Sequence, residues 1–196
     1  MENLMFKTTA FAAAFALAAG AALAEPQEYA FDSSHSQIVF EYNHLGFSTT
    51  TGMFSGITGK IAFDADQPAN SSVEATFPLA SLMTGDEGRD KHFLTADFFG
   101  SDAAAPEVTF VSTSIEVTGD NTALITGDLT LNGVTKETVL DTVLNQQGDH
   151  PMENKPWLGF DVTTTLLRSD FNLGAFAPAV SDEVEVSISV EAMAEG

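Results

Sequence analysis

The chain contains no cysteine, which excludes a disulfide framework, a thiolate metal site and a cysteine nucleophile. It is also poor in basic residues: 7 Lys and Arg stand against 28 Asp and Glu, for a formal charge of −21. General binding to phosphate backbones needs clustered cations, so nucleic acid is excluded as a partner and an anionic membrane surface is disfavoured. There is a single Trp, and there are four His. What the chain does have is 44% hydrophobic residues over a length of 196, enough for one domain with a substantial core and too much for disorder.

The first 24 residues have the layout of a secretory signal peptide. Lys7 precedes an uncharged run from Thr8 to Ala21, and Ala22-Leu23-Ala24 places small residues on both sides of a cleavage site before Glu25 and Pro26. The Ala-rich run is shorter than the roughly 20 residues that span a bilayer. The expected organisation is therefore a signal peptide over 1–24 and a single exported domain over 25–196.

From there the hydrophobic pattern has period two. Ile38, Phe40 and Tyr42 share a face, as do Ile57, Gly59, Ile61 and Phe63, and Val73, Ala75 and Phe77. Val108 with Phe110, Phe160 with Val162, and Val184 through Val190 repeat the alternation. Successive side chains of a strand point to opposite sides, so each segment has one dry and one wet face, as antiparallel sheets allow. Asn132-Gly133 suits the left-handed positions of a tight hairpin turn and predicts that 123–131 and 134–144 pair antiparallel. Asp120-Asn121 can turn the chain after Ile115–Thr118. The count is eight to ten strands, which bury their dry faces either as a sandwich or as a closed barrel; periodicity alone leaves both open.

Residues 81–104 break the alternation (SLMTGDEGRDKHFLTADFFGSDAA). Thr84 or Asp86 can start a helical turn, Asp90 to Phe93 fits a short helix, and Thr95 offers a second start. Phe93, Phe98 and Phe99 supply an apolar side, since an exposed aromatic cluster invites association. One or two short helices packed across an open end of the sheet are expected.

Side chains that carry chemistry are few. His35, His44, His92 and His150 show no zinc-ligand spacing, so no metal site is expected. No serine sits in a G-x-S-x-G elbow, and acidic residues are too common for any pair to be informative. No catalytic residue and no catalytic cofactor are assigned. The rare cations say more. Arg89, Lys91 and Arg168 either lock loops, by holding Asp90 or Asp170, or recognise the polar head of an amphiphile. Beyond residue 24 the chain keeps 13 of its 16 Phe, both Tyr and Trp157. Phe40, Tyr42, Phe54, Phe63, Phe77, Phe98, Phe99, Phe110 and Phe160 either form a plain core or line an interior. A closed sheet of about eight strands leaves room for a small ligand. Gly59 and Gly127 add space by supplying no side-chain volume.

An ordered set of motifs gives these readings a family. Phe31-Asp32, Ser33-Ser34-His35-Ser36 and Thr51-Gly52-Met53-Phe54 are followed by Gly88-Arg89-Asp90-Lys91-His92-Phe93, Ala96-Asp97-Phe98-Phe99 and Pro106-Glu107-Val108-Thr109-Phe110. Then come Gly127-Asp128-Leu129-Thr130-Leu131-Asn132-Gly133 and Arg168-Ser169-Asp170-Phe171. On these motifs the chain resembles the YceI-like family of exported lipid-binding proteins. The resemblance implies an all-β, lipocalin-like antiparallel barrel with a long internal tunnel and short helices near its mouth. It also implies binding of a polyisoprenoid chain, such as an isoprenoid quinone or polyprenyl phosphate, in the periplasm, by a protein that is often a homodimer. A transient contact with a membrane or membrane protein would accompany carriage of such a lipid.

On this reading Phe40, Tyr42, Phe54, Phe98, Phe99, Phe110 and Phe160 line the tunnel, their inward direction following from alternation, and Arg89, His92 and Arg168 serve the head group or mouth. The bound lipid is the only expected ligand. An enzyme using the same barrel would require His35, His92 or Arg168 to converge on a polar part of the cavity. A structural or stress-related protein would have a solid core. Asn172-Leu173 before Gly174 departs from the family pattern, so the mouth loop is expected to differ. The polar stretch Gln146–Pro156 reads as a flexible connection, with Trp157 at a rim.

Overall fold

The computed structural model describes residues 25–100 and 107–195; the expected signal peptide over 1–24 lies outside the described residues. The elements are β1 (Gln27–Phe31), β2 (Gln37–His44), β3 (Ser48–Phe54), β4 (Thr58–Phe63), β5 (Ser72–Pro78), α1 (Glu87–Phe93), β6 (Glu107–Val117), β7 (Thr122–Leu131), β8 (Val134–Asp149), β9 (Pro156–Leu167) and β10 (Glu183–Ala194). All ten strands belong to one antiparallel sheet, which closes where β1 pairs with β10. The choice between sandwich and barrel is thus settled as a barrel.

Ten segments make eight positions around the ring. β1 and β2 both run antiparallel to β10, β1 against Ala192–Ala194 and β2 against Glu185–Ser189, so they lie in succession along one edge of β10. β3 pairs with β2 and β4 with β1, so these two also follow one another. The interruptions have local causes. At Asp32–Ser36 the Ser36 hydroxyl donates to the Asp32 carbonyl (2.7 Å), and the backbone N–H of Asp32 donates to the Glu191 carbonyl (2.8 Å), sewing the break to β10. Between β3 and β4, Gly56 takes a positive φ of 70° that a larger residue adopts at a steric cost. With these pairs counted as single positions, every neighbour in the ring is consecutive in sequence, which makes a simple meander.

The Asn132-Gly133 turn has φ of 52° and 72°, as a two-residue hairpin with right-handed strand twist requires. β8 runs to Asp149 and pairs with β9 as far as Asp149↔Pro156, past a register shift between Leu144 and Gln146. The expected flexible connection over 146–156 is therefore corrected in part: residues 146–149 and Pro156 are strand, and the connection itself is confined to 150–155. Backbone ladders satisfy N–H and C=O groups whatever the side chains, so a polar extension beyond the core carries no hydrophobic signature. In the irregular segment one α-helix forms, with Asp86 as N-cap accepting from the Arg89 N–H at 2.8 Å. The second start at Thr95 yields a turn instead of a helix.

Packing divides along the barrel axis. One buried cluster joins Ile38, Phe54, Ile57, Leu79, Val108 and Val186. A second joins Tyr29, Ile61, Leu158, Ala192 and Ala194, where the start of β1 meets the end of β10. The opposite end of the barrel carries the β2–β3 turn, α1 and the β9–β10 loop. No helix among the described residues is long and apolar enough to cross a membrane.

Candidate functional site

The middle of the barrel is hollow. A cavity of about 1050 Å³ runs between the two ends, its wall overwhelmingly apolar. The solid-core alternative is thereby excluded. Twelve of the 13 Phe residues beyond residue 24 lie on its wall; the exception is Phe47. The aromatics form a near-continuous file. Phe40 stacks on Tyr42 with ring centroids 6.5 Å apart and lies 5.4 Å from Phe54, which in turn lies 5.1 Å from Phe77. Deeper in, Phe63 meets Phe160 edge-on at 6.5 Å.

Two glycines keep this space open. An added Cβ at Gly52 would collide with the ring of Phe40, its cross-strand partner, and one at Gly127 would collide with the ring of Phe110 and the Val111 carbonyl. The two rings lie along the wall, over glycines, instead of across the lumen. Gly59 serves differently, since a Cβ there would strike the Glu74 carbonyl of the neighbouring strand. Thr138 and Thr142 of β8 are buried on the wall, and their hydroxyls sit 3.4 and 3.5 Å from carbonyls of their own strand. Among the described residues no buried side-chain polar atom lacks a hydrogen-bond partner.

All ten side chains singled out from sequence border the cavity: Phe40, Tyr42, Phe54, Phe98, Phe99, Phe110 and Phe160 along it, and Arg89, His92 and Arg168 at the mouth. The mouth is roofed by rings from four segments. Phe93 of α1 stands edge-on to Tyr42 of β2 at 6.2 Å and to Phe98 at 5.0 Å, while Phe98 lies 6.1 Å from Phe176 of the β9–β10 loop. Phe31, Phe93, Phe171, Phe176, His44 and Leu45 line the cavity without having been anticipated. Twelve of the 13 Phe facing one space is itself a signal available in the composition, once a closed barrel is assumed.

The three polar mouth residues separate by their bonding. Arg168 is a lock: its Nε donates to the Ser181 carbonyl (2.8 Å), Nη1 to those of Leu173 (2.6 Å) and Ala175 (3.0 Å), and Nη2 to that of Val180 (3.0 Å). Partial burial pushes its guanidinium below the ordinary value, with Asp182 pulling the other way. Asp182 accepts from the Ser169 hydroxyl (2.6 Å) and N–H (2.8 Å), which hold its carboxyl below the usual range. Of the two readings of Arg168, loop lock and head-group ligand, this geometry supports the lock, because four of its five N–H donors are spent on loop carbonyls. The expected arginine–aspartate pairs are corrected. Asp90 accepts from the Thr84 hydroxyl and N–H, and Asp170 pairs with Lys136 at 3.5 Å.

Arg89 makes only a 3.4 Å contact from Nη1 to the Thr84 carbonyl, and no carboxylate lies in ion-pair range of it among the described residues. Lys91 pairs with Glu87 on the outer side of α1. His92 Nε2 lies 3.0 Å from an oxygen of Asp97. The one carboxylate on the cavity wall among the described residues is Asp120, in the β6–β7 turn at the opposite end from Arg89. The lumen is thus polarised, positive at the mouth.

Of the three side chains on which an enzymatic site could rest, His92 and Arg168 border the cavity and His35 does not. It sits in the β1–β2 break, with Nδ1 2.7 Å from Asp32. The imidazole and Ser34 hold the Asp32 carboxyl at about 2, and Asp32 in turn raises His35. Asp32, His35 and Glu191 could together approach a metal ion. Their atoms are occupied within the protein, however: Asp32 by His35 and Ser34, and Glu191 by the Trp157 indole N–H at 2.9 Å. Trp157 is half-buried at the start of β9, against His150 and off the cavity wall.

Comparison with known proteins agrees with this architecture. Residues 29–192 match the YceI-like domain. Protein YceI of Escherichia coli is 38% identical over 179 residues, covering 91% of this chain and 92% of that protein. The crystal structure of BcnA from Burkholderia cenocepacia superposes with a TM-score of 0.73 at 25% identity, covering 82% of this chain and 98% of the other. A Saccharophagus degradans domain described as polyisoprenoid binding and implicated in plant cell wall breakdown shares the fold, with a TM-score of 0.61 at 16% identity over 85% of this chain and 98% of that one.

Proposed function

The chain belongs to the YceI-like family, and from that premise we propose that it carries or sequesters a long-chain isoprenoid amphiphile in the periplasm, the tail in the barrel and the head at the mouth. One observation carries the reading: a hollow, aromatic-walled lumen kept open by glycines under Phe40 and Phe110. At the ~30 Å³ that a water-sized group occupies, 1050 Å³ holds on the order of 35 carbon-sized groups, or about seven five-carbon units. Burial recovers roughly 0.8 kcal/mol per CH₂-sized group, and ordering of the tail offsets much of it. No covalent step is required. The description of the S. degradans domain as polyisoprenoid binding supports the choice of ligand class.

The mouth favours a head of low charge. Arg168 spends four of its five N–H donors on loop carbonyls and Lys91 pairs with Glu87, which leaves Arg89, among the described residues, as the mouth cation with most of its donors unspent. One guanidinium suits a carbonyl or hydroxyl oxygen, as in a quinone. It does not neutralise a pyrophosphate entering the field of a chain of charge −21. The test is to titrate the mature protein with an isoprenoid quinone and with a polyprenyl phosphate of matched tail length, at low and high salt. The quinone binds at both, and the phosphate binds weakly at low salt. Tight phosphate binding at low salt without quinone binding reverses the head-group assignment, and no binding of either removes the function.

A further inference from the structure

We propose that the rim of the cavity is a bilayer-docking surface, led by Phe47, through which cargo passes without crossing water. Phe47 is 90% exposed and is the one Phe beyond residue 24 that does not face the lumen. It stands on the Leu45-Gly46 turn between β2 and β3, next to exposed Leu45; the β9–β10 loop that carries exposed Phe176 is bonded to this turn, and exposed Met83 flanks β3 further along, opposite Met53. These segments are bonded to one another: the Leu45 N–H donates to the Ala179 carbonyl at 3.0 Å, and Met53 of β3 exchanges two backbone bonds of 2.9 Å with Met83. Leu45 and Phe176 belong to both surfaces, lining the lumen and facing solvent. The apolar rim is therefore continuous with the cavity wall.

The rim is also held outward. Leu45 and Phe176 have φ of 59° and 65°, the left-handed region that glycine or asparagine enters easily and a bulky residue enters at a cost. The tip is rigid: Gly46 N–H donates to Asn43 Oδ1 at 2.7 Å, and Phe47 N–H to the His44 carbonyl at 3.0 Å. Large apolar residues in strained, rigid and exposed positions are fitted for insertion into an apolar medium.

Charge and area choose the occupant. The chain has 28 acidic residues, yet none lies between Glu41 and Asp64 or between Asp170 and Asp182, the two stretches that form most of the rim. These two stretches are free of carboxylates inside a strongly negative protein, which complements a neutral lipid surface; the acidic residues of the third mouth segment, Asp86, Glu87, Asp90 and Asp97, flank them. The exposed area of the four side chains is roughly 400 Å², about half of the ~800 Å² that each partner brings to a stable protein interface. A few aromatic and aliphatic side chains are enough for shallow, reversible seating in a bilayer interface. The choice of a bilayer rests on the isoprenoid reading above, because that cargo resides in membranes.

The experiment floats the mature protein with phosphatidylcholine vesicles containing no prenyl lipid. Wild type co-floats, and Phe47→Asp lowers the vesicle-bound fraction roughly tenfold or more. The melting curve and isoprenoid-quinone binding in solution stay unchanged, since Phe47 is off the cavity wall. In a Trp157→Phe background, Phe47→Trp emission shifts to the blue on adding vesicles. Replacing part of the phosphatidylcholine with phosphatidylglycerol weakens docking at low salt. Equal flotation of wild type and Phe47→Asp overturns the proposal, as does self-association that Phe47→Asp abolishes without any vesicle binding. Quinone binding without flotation refutes docking alone; flotation without quinone binding refutes the cargo and leaves docking standing.

Discussion

Replacing Gly52 by Val should shorten the tail the barrel can hold. Gly52 pairs with Phe40 across β2 and β3, and the Phe40 ring occupies the space a Cβ at Gly52 would take. The collision involves only the far end of that ring, so the backbone can stay in place while the ring swings toward the lumen. Valine suits a strand, and overpacking costs typically about 1–3 kcal/mol, so the variant should fold. Three added carbons take the place of about three CH₂-sized groups of the tail. At roughly 0.8 kcal/mol each this is about 2.4 kcal/mol, or ~50-fold in Kd for a tail that fills the lumen. The assay is affinity across prenyl alcohols of graded length: long tails weaken, and the preferred length falls by about one five-carbon unit. Removing the ring should rescue the effect, so Gly52→Val added to Phe40→Ala should change little. A folded Gly52→Val protein with unaltered affinity and length profile would refute the placement of the tail beside Phe40.

Three further outcomes are expected. Arg168→Gln loses four bonds to the carbonyls of Leu173, Ala175, Val180 and Ser181. Discounted for the partial exposure of the loop, the cost is about 2 kcal/mol and lowers Tm by about 4–8 °C; lost binding at unchanged Tm would instead make it a head-group residue. Arg89→Gln should leave Tm in place and weaken quinone binding about tenfold, without weakening a hydrocarbon of equal length that lacks oxygen. The Asp32–His35 pair contributes stability across a pH window. Asp32, lowered to about 2 from 3.8, contributes above 3.8 and loses its contribution as pH falls toward 2. His35, raised above 6.5, contributes below 6.5 and loses its contribution as pH rises through the higher folded value. The Tm difference between wild type and His35→Gln should therefore be greatest between about pH 4 and 6.5 and shrink on both sides; a flat difference would contradict the pairing.

Strands with one dry face were legible because burial writes period two into the sequence. β2, β5 and β10 announce themselves through Ile38-Phe40-Tyr42, Val73-Ala75-Phe77 and Val184–Val190. β1 (QEYAF) and β3 (STTTGMF) are short or threonine-rich and show little alternation, and the end of β8 has no dry face at all. Closure could not be read, because it depends on β1 meeting the end of β10, residues far apart in sequence. The cavity-facing aromatics on strands were legible by parity, except Phe31 at the end of the short β1. Phe93 and Phe176 were not read as wall residues, since their directions depend on how α1 and the β9–β10 loop fold over the mouth. The role of Arg168 was equally hidden: its partners are backbone carbonyls, which carry no residue-type signature. Gly127 was visible as missing volume, whereas Gly52 required the cross-strand register with Phe40.

Native mass spectrometry of the protein purified from the cells that make it, followed by organic extraction, asks most directly whether the lumen holds a lipid. A species heavier than the bare chain by the mass of a prenyl lipid, released on extraction and diminished in Gly52→Val, is the outcome that follows from a hollow barrel built for a tail. Bare protein alone, with no mass gained on incubation with an isoprenoid quinone or a polyprenyl phosphate, would contradict it.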